Sequence, residues 1–403
     1  MKYIIILGDG MADYPRPELG GQTPLQYART PHMDALAARG ETGLVKTVPD
    51  GFAPGSDVAN LSVMGYAPEK YYTGRSPLEA VSMGVKLADT DVAFRCNLVT
   101  LSGEPAYHDK QMVDYSAGEI TSEEARELIE TVQLKLGTGD KCFYPGISYR
   151  HLMVWQNGPE KTDLTPPHDI SGRVVGDYLP GGAGADMLLE MMKQSYVLLK
   201  EHPVNRSRVD RGLRPANSIW LWGQGKKPQL PLFKDMYHLD GAVISAVDLI
   251  MGIGICAGLQ VIKVPGATGN IHTNFKGKAE AVLSALRDGA DFVYLHIEAP
   301  DEAGHQGDTE TKVRAIEEID RQVLGPLQEG LTGFPGYRIM VLPDHPTPLS
   351  IRTHTAEPVP YVLADSKVVT GTAGKTYSEL DASATGIMVP DGPSLIRKFL
   401  GLA

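Results

Sequence analysis

The chain has 403 residues, of which 42% are hydrophobic and 22% are charged, and its formal net charge is -11. This length exceeds what one compact core usually holds, so we expect two domains. The acidic balance argues against nucleic acid or an anionic membrane as the main partner. Three widely spaced cysteines exclude a disulfide framework and favour a reducing compartment. The apolar run at residues 1–7 is too short for a signal peptide or a membrane span, so we expect a cytoplasmic protein.

The first predicted element is a buried strand of a parallel sheet at residues 3–7, because this segment is apolar and rich in isoleucine. Asp9 follows at its carboxyl end, where open α/β sheets bind their ligands. Asp9 is therefore a candidate metal ligand. An aspartate between two glycines is also typical of a turn, and both interpretations stay open at this point.

Ser56 follows Pro54 and Gly55 and precedes an apolar segment that predicts a helix. The backbone N–H groups at a helix N-terminus favour an anion, so Ser56 suits a nucleophile that attacks a phosphoryl group. Taken alone, however, a serine in this position is more often a helix N-cap. The Gly-x-Ser-x-Gly pattern of Ser-His-Asp hydrolases is absent around Ser56.

The middle of the chain differs in pattern from its two ends. Residues 66–77 are rich in turn-forming and aromatic residues, and we interpret them as a linker or hinge. Alternating strands and amphipathic helices follow, which indicates an α+β module. We therefore predict a metal-binding domain formed by residues 1–77 and 236–403, with a substrate-binding domain inserted at residues 78–235.

The α/β pattern returns after the insertion. We predict helices at residues 241–250 and 276–288 and an exposed helix at 311–324. Strands are predicted at residues 259–265, 292–297, 337–342 and 359–363. The sequence thus predicts an α/β fold in which buried strands alternate with helices.

Two of these strands end, like the first, beside an acidic residue. Asp301 and His305 follow one strand at a spacing that places both on the same side of a helical turn. Asp344 and His345 follow another, and His354 lies a little further along. Carboxylate and imidazole together suit a divalent metal of borderline softness. We expect the following side chains to converge at one edge of the sheet: Asp9, Ser56, Asp301, His305, Asp344, His345 and His354.

Such a set suits phosphoryl transfer. Two metals about 4 Å apart can clamp the attacking and the leaving oxygen of an in-line displacement. A metal next to Ser56 would lower the pKa of its hydroxyl and make it a nucleophile without a separate base.

Several stretches carry a family resemblance. They are residues 8–13, 54–62, 71–80, 93–97, 301–305, 344–345 and 352–354. In these stretches, and over essentially its full length, the chain resembles the archaeal-type cofactor-independent phosphoglycerate mutases of the alkaline phosphatase superfamily. The resemblance implies an alkaline-phosphatase-like α/β core, with a mostly parallel sheet flanked by helices, and an inserted α+β substrate or lid domain.

The resemblance also implies a site and a reaction. One metal would be held by Asp9, Ser56, Asp344 and His345, and the other by Asp301, His305 and His354. The metals would be two divalent ions, Mn²⁺ or Zn²⁺, and 2,3-bisphosphoglycerate would not be required. Ser56 would become a phosphoserine while 3-phosphoglycerate and 2-phosphoglycerate interconvert.

The inserted domain must then bind a small phosphorylated carboxylate. Arginine suits this role because it binds carboxylate and phosphate bidentately. The candidates are Arg95, Arg150, His151, His168, Arg173 and Lys226. For each of them a solvated surface charge is the alternative interpretation.

Other functions remain open from the sequence. Close bacterial relatives have been proposed as homoserine kinases, and residues 112–118 favour that branch. A phosphomonoesterase, a phosphonate hydrolase or a non-catalytic protein of the same fold is also compatible. Residues 371–376 imitate the end of a phosphate-binding loop, but Val369 replaces the required glycine, so we predict a surface loop. No pattern indicates an oligomeric state.

Overall fold

The computed structural model of this chain describes residues 1–371 and 375–402, so the loop predicted at 371–376 lies partly outside the described residues. The strands are β1 Lys2–Gly8, β2 Glu41–Val45, β3 Val92–Leu101, β4 Met112–Asp114, β5 Lys141–Ile147, β6 Arg150–Trp155, β7 Thr162–Asp163, β8 Gly181–Gly182, β9 Ser218–Lys226, β10 Gly241–Ile244, β11 Gln260–Ile262, β12 Phe292–Ile297, β13 Tyr337–Leu342, β14 Val359–Asp365 and β15 Met388–Val389.

The helices are α1 Pro24–Tyr27, α2 Pro31–Arg39, α3 Ser56–Val63, α4 Pro68–Tyr71, α5 Ser76–Ser82, α6 Ser122–Leu136, α7 Ala185–Leu199, α8 Pro203–Asp210, α9 Phe233–Tyr237, α10 Asp248–Cys256, α11 Phe275–Arg287, α12 Ala299–Gln306, α13 Thr309–Glu318, α14 Gly325–Leu331, α15 Glu379–Ala384 and α16 Gly392–Leu400. Turns of 3₁₀ helix cover Pro17–Leu19, Tyr107–Asp109, Pro167–Ile170 and Val175–Tyr178, and a π-helical segment covers Ile319–Leu324.

The chain divides into two compact units. Unit 1 comprises Met1–Tyr72 and Gln229–Ala403, and unit 2 comprises Thr73–Pro228. The boundaries that we predicted, 77/78 and 235/236, lie a few residues from these, and hydrogen bonds near the boundaries stay within one unit. The Thr73 hydroxyl donates to the carbonyl of Lys226 at 2.6 Å inside unit 2. The Tyr66 hydroxyl donates to the carbonyl of Pro231 at 2.9 Å inside unit 1.

The boundary between the two units falls at 72/73, within the residues 66–77 that we interpreted as a linker or hinge. This segment is nevertheless not irregular, because the short helix α4 lies within it and α5 begins there. Proline occupies the first turn of both helices, at Pro68 and Pro77. Proline suits that position because its fixed φ matches the helix and the first turn needs no N–H donor. A proline that we took as a sign of irregular chain therefore marks a helix start.

Unit 1 is built on an eight-stranded sheet in the order β11-β10-β12-β1-β13-β14-β2-β15. The first five strands in this order run parallel, whereas β14 runs antiparallel to both its neighbours. Ile4, Ile5 and Ile6 of β1 are fully buried. Since side chains alternate along a strand, this burial requires cover on both faces, and Ile4 and Ile6 share one core with residues of α2, α11 and α13. The predicted α/β class with a mostly parallel sheet flanked by helices is confirmed.

The strand order brings several loops to one edge of this sheet. Strands β12, β1 and β13 are adjacent and parallel, with Gly8 opposite Ile297 and Leu7 opposite Leu342, so their carboxyl ends lie side by side. Because β14 is antiparallel, its first residue, Val359, lies at the same edge and pairs with Val45 at the end of β2. The loops after β1, β2, β12 and β13 and before β14 therefore meet where such sheets bind ligands.

One helix prediction in unit 1 was wrong in type, and another was right in type but wrong in exposure. The apolar run at 241–250 forms strand β10 and then the first turn of α10, since a short apolar run does not distinguish a buried strand from a buried helix. The helix predicted as exposed at 311–324 is α13 followed by the π segment, and Lys312 and Asp320 within it are almost fully buried. The Asp320 carboxylate accepts from the backbone N–H groups of His32 and Met33 at the start of α2.

Unit 2 contains a five-stranded antiparallel sheet in the order β4-β3-β6-β5, with β9 also paired to β3. All ten residues of the central strand β3 are buried, including the polar residues that alternate along it. Phe94 and Cys96 lie in the core shared with α6 and α7, whereas α5 packs on β3 and β9. Helix α5 thus covers the face that carries Arg95.

No helix within residues 1–371 and 375–402 combines the length and the apolar character needed to cross a lipid bilayer.

Candidate active site

Ser56 is the first residue of α3, and the N-cap of that helix is Gly55, whose φ of -171° is extended. The interpretation of Ser56 as an N-cap is therefore wrong. The Ser56 Oγ lies 3.2 Å from Nε2 of His345 and 3.5 Å from Oδ2 of Asp9. The hydroxyl is thus placed beside two of the predicted metal ligands.

Asp344 is held by three donors at the end of β13. Its Oδ1 accepts from the backbone N–H groups of Gly10 at 3.2 Å and of His345 at 3.0 Å. Its Oδ2 accepts from Nδ2 of Asn60 at 2.8 Å. Asn60 also donates to the carbonyl of Ser56 and accepts from the hydroxyl of Tyr294. One buried amide thereby connects the helix that carries Ser56 to the Asp344 carboxylate.

Asp9 is buried with one oxygen paired and the other free of hydrogen bonds. Its Oδ2 lies 3.0 Å from Nε2 of His296. Its Oδ1 is buried and has no hydrogen-bond partner among the described residues. Burial, together with the nearby carboxylates of Asp344 and Asp301, raises the pKa of Asp9 well above its usual range. A bound cation would offset the repulsion among these carboxylates and favour the ionised form of Asp9.

Asp301, His305 and His354 form a second group. The first turn of α12 carries Asp301, and one turn later the Nε2 of His305 lies 3.2 Å from its Oδ2. The Nε2 of His354 lies 3.4 Å from Oδ1 of Asp301 and 2.9 Å from Nε2 of His305. Burial opposes ionisation of Asp301, but hydrogen bonds from the two histidines hold its pKa well below the usual range.

The donor atoms fit divalent cations. Ligand atoms lie within 4.8 Å of one another in three groups, which are Asp301-His305-His354, Asp9-His296-Asp344 and Asp9-Asp301-His345. Carboxylate and imidazole donors suit Mn²⁺ and Zn²⁺. The unpartnered Oδ1 of Asp9 and the facing imidazole nitrogens of His305 and His354 are polar atoms that a cation would satisfy.

His296 was missed by the sequence reasoning. It lies inside β12, is fully buried, and contacts Asp9 through Nε2 and Ser245 through Nδ1 at 3.2 Å. Burial lowers its pKa to about 4, so the ring is neutral at physiological pH. A lone polar residue in an otherwise apolar strand was the available signal.

In unit 2 the predicted residues Arg95 and Arg150 belong to a cationic cluster, together with Arg75, which we had not predicted. The Oε1 of Glu79 lies 2.8 Å from Nε of Arg75 and 3.4 Å from Nη1 of Arg95. Burial lowers the pKa of Arg95 to about 10; Glu79 opposes this shift, and the charges of Arg75 and Arg150 add to it. The Nε of Arg95 is buried without a hydrogen-bond partner among the described residues.

His168 lies at the same cluster. Its ring is 5.3 Å from the ring of Trp222, and the Arg95 guanidinium lies 4.7 Å from that same ring. Burial lowers the pKa of His168, and the charges of Arg95 and Arg75 lower it further, while Asp169 opposes them. Arg75, Arg95 and Arg150 therefore form one cationic cluster around Glu79, and His168 lies beside it with Asp169 at 3.6 Å.

The other three predicted substrate-binding residues have different partners. His151 is buried, its Nδ1 accepts from the backbone N–H of Gly146, and burial lowers its pKa to about 3. Arg173 donates to the hydroxyl of Tyr178 at 3.1 Å, and Lys226 pairs with Glu160 at 3.2 Å. The structure does not bring these three side chains into the cationic cluster.

Comparison with known proteins adds a family. A family model described as 2,3-bisphosphoglycerate-independent phosphoglycerate mutase matches residues 37–205. A probable 2,3-bisphosphoglycerate-independent phosphoglycerate mutase from Geobacter sulfurreducens is 56% identical, covering 99% of this chain and 100% of the relative. A phosphoglycerate mutase of the same description from Methanothrix thermoacetophila is 53% identical, covering 98% of this chain and 99% of that protein.

Solved structures are similar over the whole chain. A protein from Pyrococcus horikoshii superposes with a TM-score of 0.83 at 29% identity, covering 100% of this chain and 98% of that one. The cofactor-independent phosphoglycerate mutase from Thermoplasma acidophilum superposes with a TM-score of 0.67 at 25% identity, with 100% of both chains covered.

Proposed function

The chain belongs to the 2,3-bisphosphoglycerate-independent phosphoglycerate mutase family, and we propose that it interconverts 3-phosphoglycerate and 2-phosphoglycerate through a phosphorylated Ser56. The observation that carries this proposal is the position of the Ser56 hydroxyl, 3.2 Å from His345 and 3.5 Å from Asp9 at the carboxyl edge of the sheet. A serine at the first position of a helix also offers backbone N–H groups to a phosphoryl group.

We propose that two divalent cations, Mn²⁺ or Zn²⁺, occupy the site. One would be held by Asp9, Ser56, Asp344 and His345, and the other by Asp301, His305 and His354. His296 holds the Asp9 carboxylate from the strand, and Asn60 holds that of Asp344. When bound, the cations would neutralise the phosphoryl oxygens and lower the pKa of the Ser56 hydroxyl.

The chain's own residues then carry out two displacements. The Ser56 Oγ forms a bond to phosphorus while the bond to O3 of the substrate breaks, and the serine proton passes to that oxygen. Glycerate stays bound and reorients. Its 2-hydroxyl attacks the phosphoserine, Ser56 leaves and regains a proton, and 2-phosphoglycerate results. Water must be excluded meanwhile, because it would hydrolyse the phosphoserine.

We propose further that the cationic cluster of unit 2 binds an anionic group of the substrate. Support comes from the excess of positive charge, since Arg75, Arg95 and Arg150 face one carboxylate, Glu79. The buried, unpartnered Nε of Arg95 is a donor that a carboxylate or phosphate oxygen would satisfy.

The experiment supplies the metal-loaded protein with 3-phosphoglycerate and couples product formation to enolase, without added 2,3-bisphosphoglycerate. We expect turnover by the wild type and none by Ser56→Ala. Ser62→Ala is the matched control, because Ser62 is a buried serine later in the same helix. Substantial mutase activity in Ser56→Ala would contradict the phosphoserine route.

Parallel assays separate the alternatives that the sequence left open. Phosphate release from 3-phosphoglycerate would indicate a phosphatase, and phosphorylation of homoserine by ATP would indicate a kinase. We expect neither to approach the mutase rate. A homoserine phosphorylation rate above the mutase rate would overturn the proposal.

A further inference from the structure

One threonine hydroxyl joins the two groups of predicted metal ligands. The Oγ1 of Thr347 lies 2.5 Å from Oδ1 of Asp301 and 3.3 Å from Nδ1 of His345. Thr347 is fully buried. Asp301 and His345 are predicted to hold different metals, so this single side chain contacts a ligand of each.

The direction of these hydrogen bonds follows from what a metal requires of imidazole. The Nε2 of His345 faces Ser56, and it must be free of its proton to bind a metal. The ring proton then lies on Nδ1 and is donated to Thr347 Oγ1. The hydroxyl proton of Thr347 is then donated to Asp301, because an ionised carboxylate can only accept hydrogen bonds. The position therefore requires a group that accepts one hydrogen bond and donates another.

The backbone of Thr347 is held from both sides. Its N–H donates to the carbonyl of Ala12 at 3.2 Å. Its carbonyl accepts from Nζ of Lys312 at 2.8 Å, and that ammonium also pairs with Asp13 at 2.7 Å. Both members of the Lys312-Asp13 pair are completely buried. The loop that carries the hydroxyl is thus held by the Ala12 carbonyl on one side and by the buried Lys312-Asp13 pair on the other.

Two glycines leave space for this side chain. A Cβ on Gly10, whose φ is +62°, would lie 2.5 Å from Thr347 Oγ1 and 2.7 Å from Oδ1 of Asp301. A Cβ on Gly304 would lie 2.6 Å from the carbonyl oxygen of Thr347. Close packing on both sides restricts where the hydroxyl can go.

We propose that Thr347 is a positioning residue that couples the two metal sites. Through one hydroxyl it sets the tautomer and ring orientation of His345 and the orientation of the Asp301 carboxylate. Metal binding at either site orders this hydroxyl and thereby favours binding at the other. The inference rests on the two-metal site of the proposed function, and it goes beyond the ligands themselves.

The test is a titration of metal-free protein with Co²⁺, followed by calorimetry and by the visible absorption of the bound ion. Thr347→Val removes the hydroxyl at nearly constant volume, and Thr347→Ala removes it without new atoms should the valine variant not fold. Thr347→Ser keeps the hydroxyl. Thr42→Val is the matched control, since Thr42 is buried in β2 of the same unit and its Oγ1 has no hydrogen-bond partner among the described residues.

We expect Thr347→Val or Thr347→Ala to weaken Co²⁺ binding at both sites by roughly 10- to 100-fold and to remove cooperativity between them. Thr347→Ser should restore cooperative binding with a Co²⁺ spectrum like that of the wild type. Thr42→Val should change neither. Because spectrum and cooperativity report ligand arrangement, a general loss of stability would not reproduce this pattern.

Either of two results would overturn the role of Thr347. In one, the variants without the hydroxyl bind two Co²⁺ with wild-type affinity and cooperativity. In the other, the affinity for Co²⁺ falls at one site only, which would show that the hydroxyl does not couple the two sites. A wild type that binds no Co²⁺ would instead refute the two-metal site of the proposed function, so the two failures are distinguishable.

Discussion

The Nε2 atoms of His305 and His354 lie 2.9 Å apart, and each also lies within 3.4 Å of the Asp301 carboxylate. Two imidazole nitrogens at this separation repel each other unless a proton or a cation satisfies their lone pairs. Burial opposes protonation of His305, but its hydrogen bond to Asp301 and the charge of that carboxylate raise its pKa to about 9. Protons and metal ions therefore compete for the same atoms.

The first prediction concerns pH and metal binding. Because the His305 pKa is raised to about 9, the ring is protonated in metal-free protein below that pH and must lose its proton to bind a metal. The affinity for Mn²⁺ should therefore rise as the pH increases from 7 to about 9. Calorimetry in buffers of different ionisation enthalpy measures the protons released.

The control for this prediction is His305→Asn. At pH 7.5 this variant should release about one proton fewer per site occupied, because the titrating group is gone. An affinity that stays constant between pH 7 and 9 would contradict the prediction.

The second prediction concerns Asp9 and the stability of metal-free protein. The Asp9 pKa is raised by burial and by neighbouring carboxylates, so stability falls as the pH rises from the ordinary carboxyl pKa to the folded pKa, and the full cost is present above it. Asp9→Asn keeps an acceptor for His296 without the charge. At pH 8 and without metal, it should be more stable than the wild type by about 1–3 kcal/mol in urea unfolding.

Metal should reverse that order. Mn²⁺ should raise the unfolding temperature of the wild type and leave Asp9→Asn nearly unchanged, since a ligand is missing. Asp50→Asn, at an almost fully exposed carboxylate, serves as the control and should match the wild type in both states. A metal-free Asp9→Asn that is less stable than the wild type would argue against this account.

The third prediction concerns the buried pair of Lys312 and Asp13. Lys312→Met leaves the Asp13 carboxylate buried without its cation and should lower the free energy of unfolding by about 3–5 kcal/mol. Adding Asp13→Leu should recover most of that loss, because no charge then stays buried. Denaturant unfolding of the metal-free proteins measures both.

A surface pair provides the comparison. Lys234 and Asp240 lie 2.8 Å apart, but both side chains are about two-thirds exposed. Lys234→Met should cost less than about 1 kcal/mol, since solvent screens the interaction. If Lys312→Met and Lys234→Met lowered the free energy of unfolding equally, burial would not determine how much an ion pair contributes to stability.

The fourth prediction concerns substrate binding in unit 2. Arg150 is exposed and adds positive charge to the cluster around Arg95, so Arg150→Ala should raise KM for 3-phosphoglycerate without changing the unfolding temperature. We expect an increase of about tenfold, corresponding to one charge-assisted hydrogen bond. Steady-state kinetics coupled to enolase measures it.

Arg173→Ala is the matched variant, because Arg173 is exposed and pairs with Tyr178 rather than with the cluster. Its KM should stay within about twofold of the wild type. A larger rise in KM for Arg173→Ala than for Arg150→Ala would contradict the proposal that the cationic cluster binds the substrate.

The metal ligands that we propose were predicted from the sequence because their signal is local. A run of apolar residues that ends in an acid marks a buried strand and its exit, and Asp9, Asp301 and Asp344 all carry that mark. Residues that act from inside an element, or from a loop without periodicity, carry no such mark. His296 within β12 and Thr347 after β13 were missed for this reason.

The local nature of sequence signals also explains the wrong predictions about the fold. The apolar segment at 241–250 is compatible with a buried strand and with a buried helix. Its first residues form strand β10 because they pair with β11 and β12. In unit 2, Arg95 lies among the polar residues of an alternating strand, and only the structure shows that α5 covers that face. Long-range packing, rather than local propensity, decided both cases.

The sequence by itself determined the chemistry available to this protein, namely buried parallel strands, an acid after three of them, and a serine at the start of a helix. Those features follow from burial and backbone preference, which act over a few residues. Only the tertiary structure decided which side chains meet, because strand order places Asp9 beside His296, 287 positions away. A hydrogen bond forms only if the donor and acceptor atoms are placed to within a few tenths of an ångström. Tertiary packing determines that placement, and the spacing of residues along the sequence does not.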